Sequence, residues 1–253
     1  MPILQVTGCT KSFGGLTAVK DLNLTIESGH LFGLIGPNGA GKTTVFNLIT
    51  GVYTPDEGTI ELDGTPIQRK KPPSIAKLGI SRTFQNIRLF HSMTVLDNLK
   101  VARHLRKEQN LFDAVFRGAA LHREEEAIEE GAMELLKIFK LDARADDLAR
   151  NLPYGSQRRL EIARALATKP RLLLLDEPAA GMNPQEAVEL MHLIKWVRDE
   201  FRISILLVEH NMRVVMGACE RVQVIDYGET IAVGTPAEIQ HHPKVIEAYL
   251  GGA

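Results

Sequence analysis

A glycine-rich stretch early in the chain has the composition of a phosphate-binding loop. Residues 36–43 read GPNGAGKT and fit the pattern G-x-x-x-x-G-K-[ST]. Glycines let the backbone turn sharply, and the N–H groups at the start of a following helix can then meet phosphate oxygens. Lys42 can reach the β- and γ-phosphates, and the Thr43 hydroxyl can ligate Mg²⁺. The alternative is an ordinary glycine-rich turn. The predicted nucleotide site consists of Gly36, Pro37, Asn38, Gly39, Ala40, Gly41, Lys42, Thr43 and Thr44.

Two acidic residues and a histidine follow apolar runs much later in the chain. Asp176 and Glu177 come after RLLLL, and His210 ends ISILLVEH. A carboxylate at a strand end can hold Mg²⁺ through water, and the next one can deprotonate a water attacking the γ-phosphate. Alone, such an Asp-Glu pair is more often a solvated strand end, and such a histidine is usually structural. If the two strands are parallel, these side chains share one sheet edge, which places His210 near the γ-phosphate.

The elements that must position these residues alternate between strands and helices. LNLTI alternates in polarity as a half-buried strand does, whereas HLFGLIG is continuously apolar, which is typical of a strand covered on both faces. A helix is predicted from Gly41 to Gly51, and GTIELDGTPI carries an Asp-Gly hairpin signal.

The second half of the chain predicts a parallel sheet. RLLLLDEP and ISILLVEH are two buried-type strands, joined by the crossover helix QEAVELMHLIKWVRDEF. RVQVIDYGETIAVGTP reads as a hairpin around Tyr227 and Gly228, and a final helix follows.

Residues 94–168 predict a helical insertion between the β-containing parts. One face of a helix near residues 123–141 collects apolar side chains, while REEEAIEE is interpreted mainly as its solvated face. The predicted apolar face consists of Ile128, Ala132, Leu135, Leu136 and Phe139.

Composition excludes several classes of protein. A hydrophobic fraction of 44% supports a sizeable core, and a net charge of −1 argues against a general polyanion binder. Cys9 and Cys219 are expected to be unpaired thiols rather than a disulfide. MPILQVTGCT lacks the features of a signal peptide, and no run approaches the ~20 apolar residues that span a bilayer.

Taken in order over nearly all 253 residues, these motifs resemble the ATP-binding subunit of ABC transporters. GPNGAGKT corresponds to the Walker A motif and LLLLDE to Walker B. The resemblance implies an α/β P-loop NTPase fold in a single ABC ATPase domain, residues 1–253. A mostly parallel core sheet and an antiparallel β subdomain would occupy residues 1–93 and 169–253, and a helical subdomain residues 94–168.

The resemblance assigns roles that the residues alone do not. Phe13 in KSFGG is similar to the aromatic that stacks on adenine, although alone it would be interpreted as a core residue. Gln85 in RTFQN matches the Q-loop glutamine, which senses Mg²⁺ and the attacking water beside the transporter contact. His210 matches the switch histidine, and residues 179–184 match the D-loop, with Asn183 in place of its aspartate. The implied catalytic residues are Glu177, His210 and Gln85, and the implied metal ligands are Thr43, Gln85 and Asp176.

Residues 151–159, NLPYGSQRR, occupy the position of the family's LSGGQ signature. In this family two ATPase subunits face head to tail, and the signature helix of one closes on the γ-phosphate held by the other. Pro153 replaces the serine of this pattern, and Tyr154 replaces its first glycine. Proline has neither N–H nor hydroxyl and cannot make the serine's contact. The residues expected to face a partner's ATP are Pro153, Tyr154, Gly155, Ser156 and Gln157.

Further segments look like the LivG-type subunit of branched-chain amino-acid importers: SRTFQNIRLFHSMTVLDNL, an insertion near residues 105–125, and HPKVIEAYLGG. The implied cofactors are ATP and Mg²⁺. The implied partners are a second ABC ATPase subunit, two membrane permease subunits and, indirectly, a periplasmic or extracellular binding protein, with no nucleic acid. The expected location is the cytoplasmic face of the membrane.

Other interpretations stay open. Related ABC ATPases serve urea or amide uptake and lipopolysaccharide export. A small-molecule P-loop kinase would not explain PYGSQ or His210. A soluble ABC ATPase acting on DNA or ribosomes usually carries two cassettes or a long coiled coil, and this sequence shows neither.

Overall fold

A computed structural model describes residues 1–104, 118–210 and 212–250. The strands are β1 (Pro2–Phe13), β2 (Leu16–Glu27), β3 (Leu31–Ile35), β4 (Glu57–Leu62), β5 (Thr65–Pro66), β6 (Ile80–Arg82), β7 (Leu172–Asp176), β8 (Ser204–Val208), β9 (Arg221–Asp226) and β10 (Glu229–Gly234). The α-helices are α1 (Lys42–Ile49), α2 (Pro72–Leu78), α3 (Val95–His104), α4 (Gly118–Ile138), α5 (Tyr154–Ala167), α6 (Pro184–Phe201), α7 (Met212–Ala218), α8 (Pro236–Gln240) and α9 (Pro243–Leu250).

The chain forms two compact units. The first joins Met1–Gln85 to Arg171–Ala253, and the second is Asn86–Pro170. No helix in the described ranges is both long and apolar enough to cross a membrane.

One sheet of the first unit is antiparallel, in the order β2-β1-β4-β5. Along β2, Leu22, Leu24 and Ile26 are buried while the residues between them are exposed, as the alternating sequence predicts. The β4–β5 turn places Asp63 and Gly64 at positive φ, which an Asp-Gly hairpin turn requires. This confirms the predicted hairpin.

The other sheet follows the order β10-β9-β3-β8-β7-β6, and its pairs are parallel except β9–β10. Every residue of β3, β7 and β8 is buried, as their continuous apolar sequences predict. Helix α6 connects β7 to β8, which confirms the predicted crossover. The carboxyl ends of β3, β7, β8 and β9 therefore lie along one edge, where ligands of parallel sheets bind.

The second unit is helical, with α3, α4, α5 and two short 3₁₀ turns, Asp142–Arg144 and Ala149–Asn151. All five residues of the predicted apolar face on and after α4 are buried. The unit spans Asn86–Pro170, and the bounds 94–168 of the helical subdomain stay a prediction. The buried side chain of Asn98 accepts a hydrogen bond from Phe90 N–H and donates one to the Phe90 carbonyl, which joins this loop to α3. Much of the predicted insertion near residues 105–125 lies outside the described residues.

Both cysteines are buried and unpaired, as expected from the sequence. Burial raises the pKa of Cys9 to about 11 and that of Cys219 to about 12. Both thiols therefore stay protonated and unreactive at neutral pH.

Candidate functional site

The glycine-rich loop connects β3 to α1 and lines a cleft in the first unit. Gly41 precedes the helix with a φ of 101°, and a Cβ built on it would lie 2.4 Å from the Ala18 carbonyl oxygen. Because the loop comes so close to β2, only glycine fits at this position. The loop residues that line the cleft are Asn38, Gly39, Ala40, Gly41, Lys42, Thr43 and Thr44.

Lys42 is held inside the loop. Its side-chain Nζ donates to the carbonyl oxygens of Gly36, at 2.6 Å, and Pro37, at 2.7 Å. Burial lowers the pKa of the Lys42 ammonium, and the carboxylates of Glu177 and Asp176 oppose that shift. The predicted loop residues outside the lining, Gly36 and Pro37, thus serve the site by positioning its cation.

Asp176 ends β7 and forms a buried ion pair that the sequence did not reveal. Arg82 Nη2 lies 2.9 Å from Asp176 Oδ2, and Arg82 Nη1 donates to Asn47 Oδ1 at 2.6 Å. The guanidinium also lies 5.1 Å from the ring centroid of Phe46 and the same distance from that of Phe84. Arg82 therefore orients the carboxylate that was predicted to hold the metal. The position of Arg82 in RTFQN, three residues before the predicted site residue Gln85, was the sequence feature that could have indicated its role.

Glu177 meets two other predicted catalytic residues. Its Oε2 accepts a hydrogen bond from Gln85 Nε2 at 3.0 Å, and its Oε1 lies 3.5 Å from His210 Nδ1. The backbone of Glu177 has a φ of 47°, and its N–H donates to the Val208 carbonyl at 2.9 Å. A bulky residue held in this strained conformation is a feature of functional sites. The structure thus brings Gln85, Glu177 and His210 together at the carboxyl edge of the sheet.

The predicted metal ligands suit Mg²⁺ by their chemistry. Thr43, Gln85 and Asp176 offer a hydroxyl, an amide oxygen and a carboxylate, which are hard oxygen donors. Within the described ranges, no group of three or more His, Cys, Asp or Glu side chains could hold a metal ion. Proteins typically bind Mg²⁺ through one or two side chains, with substrate phosphates and water completing the shell.

Phe13 lies beside the cleft rather than among its lining residues. It ends β1 and is 42% exposed, and its ring packs edge-on against Tyr53 with centroids 5.0 Å apart. Leu16, its partner across the β1–β2 turn, does line the cleft. The adenine-stacking role of Phe13 stays a prediction. The lining instead includes Tyr227, which the sequence placed in a hairpin without a functional role.

The signature-like segment lies in the second unit, at the start of α5. Pro153 is the N-cap residue, and no side chain caps the helix. Gln157 Nε2 donates to the Leu152 carbonyl at 2.9 Å, which fixes the chain entering the helix. Pro153 and Tyr154 are exposed, while Gly155, Ser156 and Gln157 are partly exposed. The start of α5 is thus exposed, and a helix start leaves its first N–H groups without partners inside the helix.

Arg158, one turn further along α5, contacts the side chain of Tyr154. Its side chain is fully buried and lies 2.8 Å from Glu161 Oε2, and its Nη2 donates to the Tyr154 hydroxyl at 3.4 Å. Glu161 Oε1 also accepts the N–H of Arg88. The charge of Arg158 is therefore neutralised within the unit.

The D-loop-like segment ends in a capping box. Asn183 Oδ1 accepts the Glu186 N–H at 2.9 Å, and a Glu186 carboxylate oxygen accepts the Asn183 N–H at 3.0 Å. Asparagine and aspartate are equally good N-cap residues. The departure from aspartate therefore retains the cap of α6.

A family model described as ABC transporter matches residues 19–180, and one described as branched-chain amino acid ATP-binding cassette transporter matches residues 229–253. The first match covers more than half of the chain. The protein belongs to the ABC transporter family. The family and fold predicted from the sequence are thereby confirmed.

Relatives with established names span the whole chain. The high-affinity branched-chain amino acid transport ATP-binding protein BraF of Pseudomonas aeruginosa is 48% identical over 252 residues, covering 100% of this chain and 99% of BraF. LivG of Escherichia coli, with the same description, is 47% identical over 253 residues and is matched over 99% of its length.

Solved ABC cassettes share the fold. The ADP conformation of MJ1267, an ATP-binding cassette of an ABC transporter, matches with a TM-score of 0.86 and 32% identity, covering 99% of both chains. The cassette MJ0796, in a dimeric post-hydrolysis state bound to ADP and Pi, matches with a TM-score of 0.78 and 26% identity, covering 92% of this chain and 98% of MJ0796.

Proposed function

We propose that the protein is the ATP-binding and ATP-hydrolysing subunit of an ABC importer for branched-chain amino acids. One observation carries this proposal. The phosphate loop lies at the same sheet edge as four predicted site residues, Asp176, Glu177, Gln85 and His210. The names of BraF and LivG and the match of residues 229–253 support the substrate class.

Each residue has a defined part in the reaction. The amides of the loop and Lys42 bind the phosphates, and Thr43, Gln85 and Asp176 would hold Mg²⁺, which supplies charge stabilisation at the transferred phosphoryl group. Glu177 orients and deprotonates the attacking water. Gln85 and His210 flank the Glu177 carboxylate, and His210 hydrogen-bonds the γ-phosphate. Arg82 fixes the orientation of Asp176.

The proposed assembly contains a second ABC ATPase subunit, arranged head to tail. Pro153–Gln157 would complete the ATP site of that partner. The dimeric state of MJ0796 supports the pairing of two cassettes of this fold. Two membrane permease subunits would dock near Gln85 on the cytoplasmic face, and a substrate-binding protein would act indirectly. ATP bound between both subunits supplies the differential affinity that a closing and reopening switch requires.

The rival interpretations are less well supported. The branched-chain family match favours amino-acid transport over urea, amide or lipopolysaccharide systems. A P-loop kinase would give no role to the α5 start.

The test is transport in proteoliposomes containing this protein, its co-purifying ATPase and membrane subunits, and the binding protein. We expect internal ATP to drive uptake of labelled leucine, and the same assembly with Glu177→Gln to take up none. Uptake of labelled urea in place of leucine would support the related systems instead. Transfer of the γ-phosphoryl group to a small acceptor without membrane subunits would support a kinase.

A further inference from the structure

The tip of the β9–β10 hairpin presents an aromatic ring to the nucleotide cleft. Tyr227 is 87% exposed and lines the cleft together with Leu16, Thr17, Ala18 and the phosphate loop. Strand β9 is the parallel neighbour of β3, so the residues after both strands reach the same sheet edge. Among the described residues that line this cleft, Tyr227 is the aromatic one.

The hairpin tip is fastened to the cleft wall on two sides. Gly228 N–H donates to the Ala40 carbonyl at 3.0 Å, and Lys20 N–H donates to the Gly228 carbonyl at 2.9 Å. Gly228 has a φ of 81°, and a Cβ on it would lie 2.7 Å from the Ala18 carbonyl oxygen. These contacts hold the backbone of the hairpin tip in place beside the phosphate loop, so Tyr227 stands next to the cleft.

The backbone of Tyr227 is unfavourable for its residue type. Its φ is 45°, a region that turns usually fill with Gly, Asn or Asp. An exposed ring buries little apolar surface and so does not offset that strain through folding. A strained, exposed aromatic beside a ligand cleft indicates a binding role.

We propose that Tyr227 packs against the base or ribose of the bound nucleotide and forms an aromatic wall of this site in addition to the predicted contact of Phe13. The proposal rests on the nucleotide binding argued above. Phe13 already packs against Tyr53 beside the cleft, whereas the ring of Tyr227 is open to the cleft. The phosphates would lie on the loop, and the nucleoside would extend along Leu16–Ala18 toward Tyr227.

The test compares ATP with inorganic triphosphate, both with Mg²⁺, by calorimetric titration of the full chain. Tyr227→Ala and Tyr227→Gly should raise the Kd for ATP roughly fivefold or more, the lower end of the effect of an aromatic–base stack. Tyr227→Phe should bind ATP as the wild type does. The Kd for triphosphate should be the same in all of them, because it carries no nucleoside.

A stability measurement separates binding from folding. Tyr227→Gly relieves the positive φ, so its Tm without nucleotide should equal or exceed that of the wild type. Arg202→Gly is a matched control, since exposed Arg202 has a φ of 50° at the C-cap of α6, and this variant should leave the Kd for ATP unchanged.

The outcomes separate this inference from the proposed function. If the Ala and Gly variants bind ATP as tightly as the wild type, Tyr227 is not part of the nucleotide site. Equal losses for ATP and triphosphate would likewise overturn the nucleoside contact, because the effect would then be on the loop. Wild-type protein that binds neither ligand would overturn the proposed function itself.

Discussion

Small residues lie at the starts of both α1 and α5, Gly41 just before α1 and Gly155 and Ser156 in the first turn of α5, yet their surroundings differ. At α1, Lys42 donates to two neutral carbonyl oxygens, and Thr43 lines a cleft with Glu177. At α5, the basic residue Arg158 is buried and paired with Glu161, and the cap position is Pro153.

This difference indicates why the start of α1 can form a complete phosphate site, whereas the start of α5 can form only half of one. A helix N-terminus supplies roughly half a positive charge and a few N–H donors. At α1 a full cation adds to this, whereas at α5 the cation is neutralised internally. We infer that α1 can bind phosphate alone and that α5 adds to a phosphate already held elsewhere.

The largest effect, on the rate of ATP hydrolysis, is expected from a change of Glu177 at the α1 site. Glu177→Gln keeps the shape of the side chain but removes the base, so hydrolysis should fall by roughly 10²–10⁴-fold. ATP affinity should change little, since α1 and its loop remain intact. Steady-state phosphate release and ATP titration measure the two effects, with exposed Glu200→Gln as the control. Near-normal hydrolysis by the Glu177→Gln variant would remove Glu177 from the base role.

The second effect tests the half-site at α5. Pro153→Ser restores a hydroxyl whose hydrogen bond to a charged phosphate is worth about 1.5–3 kcal/mol. We expect slow hydrolysis by the wild-type chain alone and strong stimulation by a partner ATPase that carries serine there. The Ser variant should hydrolyse ATP faster alone if closure of two identical copies limits its rate.

Pro153→Ala is the matched control, because it also removes the ring but adds no hydroxyl. Equal rates for the Ala and Ser variants would assign the gain to backbone freedom. Full activity of the wild-type chain alone, with no gain from the partner, would show that Pro153 is a harmless variation and would end the half-site interpretation.

The sequence was most informative where the spacing of apolar or turn residues follows directly from the backbone geometry of a strand or turn. The alternation of LNLTI, the continuous apolar runs of β7 and β8, and the Asp63-Gly64 turn each predicted an element that the structure contains. The same spacing brought Glu177 and His210 to one edge, because parallel strands have aligned carboxyl ends.

Sequence was least informative where a contact joins distant segments. Arg82 and Asp176 are 94 residues apart, and only the β6–β7–β8 register shows that they pair. Tyr227 looked like a turn residue, because nothing local shows that Gly228 is bonded to Ala40 and Lys20. The hydrogen bonds between Asn98 and Phe90, which join a loop to α3, are likewise invisible in the spacing of the sequence.

A third effect, on ATP affinity, is expected from a change of Phe13 beside the α1 site. If Phe13 stacks on adenine, Phe13→Ala should weaken ATP binding by about 1–3 kcal/mol, and Phe13→Tyr or Phe13→Trp should be tolerated. If its contact with Tyr53 is its whole role, the Ala variant should instead lose thermal stability without nucleotide and keep its ATP affinity. Titration and thermal unfolding of the same three variants distinguish these outcomes.

Helix α6 provides the smallest effect and an internal reference for the other two helix starts. At its start the N–H groups of Asn183 and Glu186 already have partners, because the side chains of these two residues cap each other. Asn183→Ala should cost about 1 kcal/mol of stability in denaturant unfolding, whereas Asn183→Asp should cost nothing, since both residues cap equally well. At α5, by contrast, Pro153 has no side-chain cap to lose, so Pro153→Ala should cost only the added entropy of the unfolded chain, about 0.4–1 kcal/mol. No loss from Asn183→Ala would mean that the capping box does not stabilise α6 and that α6 is no reference for the other two helix starts.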